Sequence, residues 1–311
     1  MKLVTFDIHG ERRIGAVLDD GHISDFTASG DSRFRDMLTL IDGGDDALAV
    51  AHRLVSNPVQ VHPAGSVRLL APLPEPRQMR DFMCFEQHFR QARANRHLLG
   101  VAGHPTDPAK VEIPPVWYER PIYYKCNRMS VIGTGEDIVT PRYSKALDYE
   151  LEFGAVVGRK GKNIRREEAP AHIFGYCIFN DMSARDEQVY EMQGGLGPCK
   201  GKDFDTGNVL GPWLVTADEI PDPYNLTMVA RVNGEEWSRG SSSTMHHRFE
   251  DILALVSREE TVYPGEFFGS GTVGNGCGLE YGRFLKPGDV VELEIEGLGC
   301  LRNRIVGPSV S

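Results

Sequence analysis

A chain of 311 residues is long enough for about two domains, and its 41 % apolar and 25 % charged residues are ordinary for a soluble globular protein with a sizeable core. Lys plus Arg number 34 against 44 Asp plus Glu, a formal charge of −10, with no Lys/Arg-rich block. That balance speaks against nucleic acid and anionic membranes as partners and leaves carboxylates available for a metal.

The six cysteines (Cys84, Cys126, Cys177, Cys199, Cys277 and Cys300) include no CxxC pair. Such scatter fits reduced thiols better than a disulfide framework or a zinc ribbon. The opening MKLVTFDIHGERR meets acids too early for the apolar stretch of a signal peptide. No apolar run approaches the roughly 18 residues of a membrane span. The expectation is a soluble, cytoplasmic protein.

In chain order, residues 3–6 and 14–18 read as short strands and 34–41 and 46–55 as short helices, a small N-terminal α+β domain over 1–70. The prolines of Leu70-Ala71-Pro72-Leu73-Pro74-Glu75-Pro76 force an extended connector, which starts a second domain over 71–311. Helix candidates beyond it are 87–99, 170–174, 186–190 and 247–257. Strand candidates are 130–133, 151–157, 208–216, 226–232 and 290–295. Asn233-Gly234 between two β-type runs signals a hairpin with a type I′ turn. Strands do not alternate regularly with helices, which argues against a doubly wound fold and for a β-rich, antiparallel or mixed body.

Three acidic clusters carry the chemistry. In Met79-Arg80-Asp81-Phe82-Met83-Cys84-Phe85-Glu86-Gln87-His88 an acid precedes a helix-like segment bearing a histidine. In Leu147-Asp148-Tyr149-Glu150-Leu151-Glu152-Phe153, strand alternation puts Asp148, Glu150 and Glu152 on one face and Tyr149, Leu151 and Phe153 on the other. A half-exposed strand with its acids in water is one reading. However, the sequence runs on as Gly154-Ala155-Val156-Val157 without a polar face, as a strand buried on both sides does. Inward carboxylates there repel, lose hydration and need a cation such as Mg²⁺, Mn²⁺ or Ca²⁺. Asp148 is expected at the strand's mouth, within reach of water. The third cluster centres on Asp181, at an apparent strand end, where an N-cap is the alternative to a ligand. The run Gly269-Ser270-Gly271-Thr272-Val273-Gly274 lacks the strand–turn–helix context of a dinucleotide site.

Together, the Glu150-X-Glu152 pair, Asn180-Asp181-Met182-Ser183-Ala184-Arg185-Asp186, Lys202-Asp203-Phe204-Asp205-Thr206, Ser270-Gly271-Thr272 and Pro287-Gly288-Asp289 resemble the fumarylacetoacetate hydrolase family over roughly residues 70–305. The resemblance implies an α+β, β-rich fold, a mixed β-sandwich roll with a divalent-metal site, usually built as a homodimer. It implies Glu150, Glu152 and Asp181 as metal ligands, with Asp81 similar to a fourth. It makes His88 the general base and Glu280 its partner, with Glu86 a local alternative. Arg185, Gln188 and Lys202 match positions that hold the substrate or its oxyanion. Tyr124, Lys125, Thr272 and, more weakly, Thr206 match further substrate contacts. Met83 departs from the pattern, since the hydrolases proper carry a tyrosine there.

The activity so implied is hydrolysis of a carbon–carbon bond in a small β-diketo acid of acylpyruvate or fumarylpyruvate type, with Mg²⁺, or alternatively Mn²⁺ or Ca²⁺, as cofactor. His88 would draw a proton from water, and Lys202, Gln188 and Arg185 would hold the oxyanion. A lyase or isomerase on the same site, an oxaloacetate-type decarboxylase or a hydratase/isomerase of aromatic catabolism, needs no attacking water. A non-catalytic, metal-stabilised binding protein would need the ligands alone, without His88, Glu280, Lys202 and Arg185.

Overall fold

The apolar run from Leu151 to Val157 forms a strand with every residue buried, near the middle of a 12-stranded sheet. The computed structural model describes residues 1–100 and 106–308. On one side of this strand lies Ile173–Asp181 and on the other Phe267–Gly269, both antiparallel to it. Outward from Ile173–Asp181 come Asn208–Thr216, Lys2–Ile8, Glu11–Val17, Ile23–Asp25 and Val61–His62. Outward from Phe267–Gly269 come Met79–Phe82, parallel to it, and Tyr123–Lys125 at the edge. A second sheet of five strands has the order Glu235–Ser241, Thr227–Val232, Val290–Ile295, Gly299–Val306, Asp137–Val139. Both sheets mix parallel and antiparallel pairs, the β-rich architecture expected.

Two cores explain why the central strands read as unbroken apolar runs. Leu151, Phe153, Ala155 and Ile178 of the large sheet pack in one cluster with Met228, Ala230, Leu293 and Ile305 of the small sheet and with Phe249 and Ile252 of the helix Phe249–Val256. On the other face, Val156, Phe179, Leu210 and Phe267 cluster with Leu40 and Ile41 of Met37–Asp42 and Ala51 of Gly44–Ser56. Each fully buried Leu, Ile or Phe contributes about 1.5–3 kcal/mol, so these strands are held from both sides. The N-terminal elements continue the same sheet, because Lys2–Ile8 pairs antiparallel with Asn208–Thr216. Among the described residues no helix is long and apolar enough to cross a membrane.

Helix bounds shift from expectation for local reasons. Residues 34–41 divide because Asp36 caps Met37–Asp42, its side chain accepting from Thr39 N–H. Residues 87–99 divide at Asn95 into the helix Glu86–Ala94 and the 3₁₀ turn Arg96–Leu99. The 170–174 candidate is the 3₁₀ turn Ala169–His172, followed directly by a strand.

The hairpin at Asn233-Gly234 forms as the turn chemistry requires, with φ of 54° and 80° at the two positions. A β-branched side chain at the second position must adopt left-handed backbone, so Gly234→Val is expected to lower unfolding stability by about 1–2 kcal/mol. Urea denaturation measures it; an unchanged midpoint would show that the turn does not constrain the small sheet.

Candidate active site

Strand parity delivers the acids. Tyr149, Leu151 and Phe153 belong to the core shared with the small sheet, so Asp148, Glu150 and Glu152 project from the opposite face. They are buried, at 0 %, 4 % and 0 % exposure. Asp181 ends its strand next door, through the register Leu151↔Asn180. Asp81 arrives on Met79–Phe82, where Gly269 pairs with both Asp81 and Gly154. A Cβ on Gly269 would stand 2.4 Å from Asp81 Oδ1, so glycine leaves room for the carboxylate.

Asp81, Glu152 and Asp181 each place a carboxylate oxygen within 4.8 Å of the others. Gly271, at φ 76°, turns its N–H to donate to Glu152 Oε2 (3.0 Å) and Asp81 Oδ1 (3.2 Å). Thr272 Oγ1 donates to Glu152 Oε1 at 3.2 Å. Burial, then the charge of Asp181, push Asp81 up to about 8. Burial and Asp81 push Glu152 well above its usual range. Asp181 is raised by burial to about 6, with Lys202 opposing the rise. Asp181 Oδ1 is buried without a hydrogen-bond partner among the described residues. Three desolvated carboxylates and an unpartnered oxygen make the donor set that hard divalent cations prefer, so these residues fit Mg²⁺, Mn²⁺ or Ca²⁺.

Glu150 stands apart from this trio and is answered by side-chain cations. Its Oε2 accepts from Lys202 Nζ at 2.5 Å, and its Oε1 lies 2.8 Å from Arg185 Nη1. Burial would raise its pKa, but Arg185 and Lys202 outweigh that and hold the group ionised, well below the ordinary range. Lys202 also donates to Asp181 Oδ2 at 2.6 Å, and Tyr124 OH donates to the same oxygen at 2.7 Å. Arg185 Nη1 donates to Gln188 Oε1 at 3.1 Å.

His88 lies on the helix Glu86–Ala94, with its Nδ1 2.8 Å from Glu280 Oε1. A carboxylate there accepts Nδ1–H and selects that tautomer. Nε2 is 3.9 Å from Glu150 Oε1, too far to be held in a hydrogen bond, and stays free for a proton. Glu280 sits buried on the 3₁₀ turn Gly278–Tyr281; burial raises its pKa and His88 opposes the rise.

A cavity of about 220 Å³ gathers Asp81, His88, Tyr124, Glu150, Arg185, Gln188, Lys202 and Thr272, beside an apolar wall that includes Phe82, Met83 and Ile122. Three sequence expectations fall outside this arrangement. Lys125, at the end of an edge strand, is exposed and does not line the cavity. The Thr206 hydroxyl accepts from Val139 N–H at 2.9 Å and lines a separate groove beside Arg68 and Arg304. Glu86 binds Arg90 Nε at 2.8 Å, one turn along its own helix, rather than His88.

Asp148 is the residue that sequence reasoning misplaced. It is wholly buried rather than wet. Its carboxylate accepts from Arg185 Nε (2.8 Å) and from the backbone N–H groups of Gly278 (2.7 Å) and Leu279 (3.0 Å). One acid thereby positions both the guanidinium that grips Glu150 and the turn that carries Glu280. Its shared parity with Glu150 and Glu152 signals the burial, whereas its partners lie 37 and 130 or more residues away in the chain.

Comparison with known proteins agrees with this architecture. Residues 78–306 match the family model described as fumarylacetoacetate (FAA) hydrolase, C-terminal. The chain is 35 % identical over 271 residues to the human mitochondrial oxaloacetate tautomerase FAHD2A, covering 87 % of this chain and 79 % of that protein. A fumarylacetoacetate hydrolase from psychrophilic Exiguobacterium antarcticum has the same fold, with a TM-score of 0.76 and 28 % identity over 99 % of both chains. So does maleylpyruvate hydrolase from Sphingobium sp. SYK-6, solved with manganese(II) and pyruvate, at a TM-score of 0.75 and 22 % identity over 99 % of this chain and 100 % of that one. With the site geometry and a match spanning most of its length, this chain belongs to the fumarylacetoacetate hydrolase family, a family of enzymes that includes tautomerases and hydrolases.

Proposed function

We propose that this protein is a divalent-cation-dependent enzyme that moves a proton at the carbon beside the oxo group of a small 2-oxo acid, and that its reaction is an oxaloacetate-type keto–enol tautomerisation. One observation carries the proton-transfer chemistry of this reading: His88 is tied through Nδ1 to Glu280 while Nε2 stays free, in the cavity that Asp81 also lines.

Asp81, Glu152 and Asp181 would hold the cation, which when bound supplies Lewis-acid polarisation and positive charge. The chain's own groups do the rest. His88 Nε2 takes the proton from the carbon, the oxo oxygen takes one from solvent to give the enol, and Glu280 stabilises the imidazolium until it returns its proton to solvent. In the reverse sense the imidazolium returns a proton to carbon while the enol hydroxyl releases its own to solvent, so protons balance. Arg185, Gln188, Lys202 and Tyr124 present fixed donors around the bound acid. The apolar wall of Phe82, Met83 and Ile122 limits water beside it. The 35 % identity to a human oxaloacetate tautomerase supports this choice among the family's reactions.

Hydrolysis of a carbon–carbon bond in an acylpyruvate- or fumarylpyruvate-type β-diketo acid is the second reading. It is favoured by the same His88–Glu280 pair, which is equally suited to draw a proton from water, and by the likeness to the Exiguobacterium fumarylacetoacetate hydrolase. Met83, standing where that activity's resemblance calls for a tyrosine, weighs against it.

Offered oxaloacetate and an acylpyruvate with Mg²⁺ or Mn²⁺, the protein is expected to speed loss of the oxaloacetate enol without releasing CO₂ and to leave the acylpyruvate intact. Acylpyruvate cleavage at comparable efficiency would move the assignment to the hydrolase, and CO₂ release to a decarboxylase. His88→Ala is expected to lower kcat by about 10²–10⁴-fold; unchanged turnover would remove His88 from the mechanism. Adding Mg²⁺ or Mn²⁺ to the metal-stripped protein should raise its melting temperature, with about 2.7 kcal/mol gained at a hundredfold excess over Kd. Glu152→Gln should weaken Mn²⁺ binding at least about tenfold in a calorimetric titration, and wild-type affinity in that variant would refute the ligand assignment.

A further inference from the structure

We infer that Arg93 and Arg96 form a second anion subsite in the active cavity, one that takes the distal carboxylate of a dicarboxylic substrate. This deepens the oxo-acid reading above and rests on it. The residues His88, Phe89, Ala92, Arg93 and Arg96 all line the cavity, and they follow one another at helical spacing along Glu86–Ala94 and the 3₁₀ turn Arg96–Leu99. The segment that carries the base at one end thus carries two guanidinium groups at the other.

Neither arginine has a carboxylate partner among the described residues, whereas Arg90 on the same helix binds Glu86 and Arg185 deeper in the cavity binds Asp148 and Glu150. The charged neighbour that acts on Arg93 is Arg96. Partial desolvation against the cavity wall first, and then this like charge, lower Arg93, which keeps much of its surface in water, and partial desolvation lowers Arg96. Two cations side by side without a counter-ion repel one another, and an anion entering from solution relieves that. Arg93 is also oriented, since its guanidinium lies 4.3 Å over the ring of Phe89, another cavity residue. Stacking occupies the face of the guanidinium and leaves its edge N–H donors free for a planar carboxylate.

The cavity therefore has two polarities. Its inner end is lined by Asp81, the one member of the acidic trio that reaches the cavity, together with Lys202 and Arg185, and it would take the oxo-acid end of a substrate. Its helix-side wall holds the arginine pair and suits a second negative charge. A 2-oxo dicarboxylate satisfies both ends, while pyruvate satisfies the inner end only.

The test is calorimetric titration of the Mn²⁺-loaded full chain with pyruvate, oxaloacetate and 2-oxoglutarate. The wild type is expected to bind at least one dicarboxylate about tenfold or more tightly than pyruvate, as a charge-assisted contact would produce. Arg93→Gln with Arg96→Gln should erase that preference without weakening pyruvate, and Lys at both positions should restore part of it. Arg93→Gln alone, at an exposed position, should lose part of the preference and guards against misfolding of the double variant. A preference that survives both Gln substitutions, or an equal loss for pyruvate, overturns the subsite while leaving the oxo-acid reading intact. Failure of the wild type to bind any of the three acids overturns both.

Discussion

Charge balance in a water-poor interior is the constraint on which the rest of this structure depends. Among the described residues six carboxylates of the site lie buried, those of Asp81, Asp148, Glu150, Glu152, Asp181 and Glu280; His88 answers Glu280, and the other five face two buried cationic side chains, Lys202 and Arg185. An ionised carboxylate taken out of water without a partner is far more costly than a missing hydrogen bond. Arg185 answers Asp148 and Glu150, and Lys202 answers Glu150 and Asp181. The deficit falls on Asp81 and Glu152, which bond to each other and receive the Gly271 N–H and the Thr272 hydroxyl but meet no side-chain cation among the described residues. The upward shift at these two sites and the unpartnered oxygen of Asp181 are consequences of that deficit. Here a divalent ion is the natural complement.

The fold keeps this costly arrangement in place by clamping the strands that bear it. Leu151–Val157 is packed on both faces, so Glu152 cannot relax toward solvent without disrupting two cores. Asp148 extends the same rigidity toward His88 by tying Arg185 and the turn of Glu280 to one carboxylate. The pairing of His88 with Glu280, 192 residues apart, depends on that turn. Preorganised donors and a fixed tautomer serve any reaction that passes through an enol or an attacked oxo group, which is why one fold hosts tautomerases and hydrolases and why the cavity wall has to decide between substrates.

Much of the architecture is legible without coordinates. The strands 151–157 and 208–216 appear with the bounds that their apolar patterns suggest, and the Asn233-Gly234 turn appears with its positive φ pair. Asp81, His88, Glu150, Arg185, Gln188, Lys202, Tyr124 and Thr272 converge on one cavity. The exceptions share a cause. The family resemblance implies Lys125 and Thr206, and nearness to His88 suggests Glu86, but each lies in a different local setting: an edge strand, a backbone N–H at Val139, an arginine one helical turn away. Asp148 failed in the opposite sense, because nothing near it in the chain announces the guanidinium and the two backbone donors that make its burial tolerable.

By itself the sequence determined what depends on local geometry: which acids of residues 147–157 share a face, where the Asn233-Gly234 turn falls, and that the strand after Glu152 must be covered on both sides. Alternation and turn dihedrals are properties of a few consecutive residues. Only the tertiary structure decided which carboxylates meet a side-chain cation, that Oδ1 of Asp181 has no hydrogen-bond partner among the described residues, and that two arginines without a carboxylate partner among those residues line the cavity of His88. Those outcomes are set by desolvation and by pairs spanning tens to hundreds of residues, such as Lys202 with Asp181 and His88 with Glu280, and no local pattern encodes them.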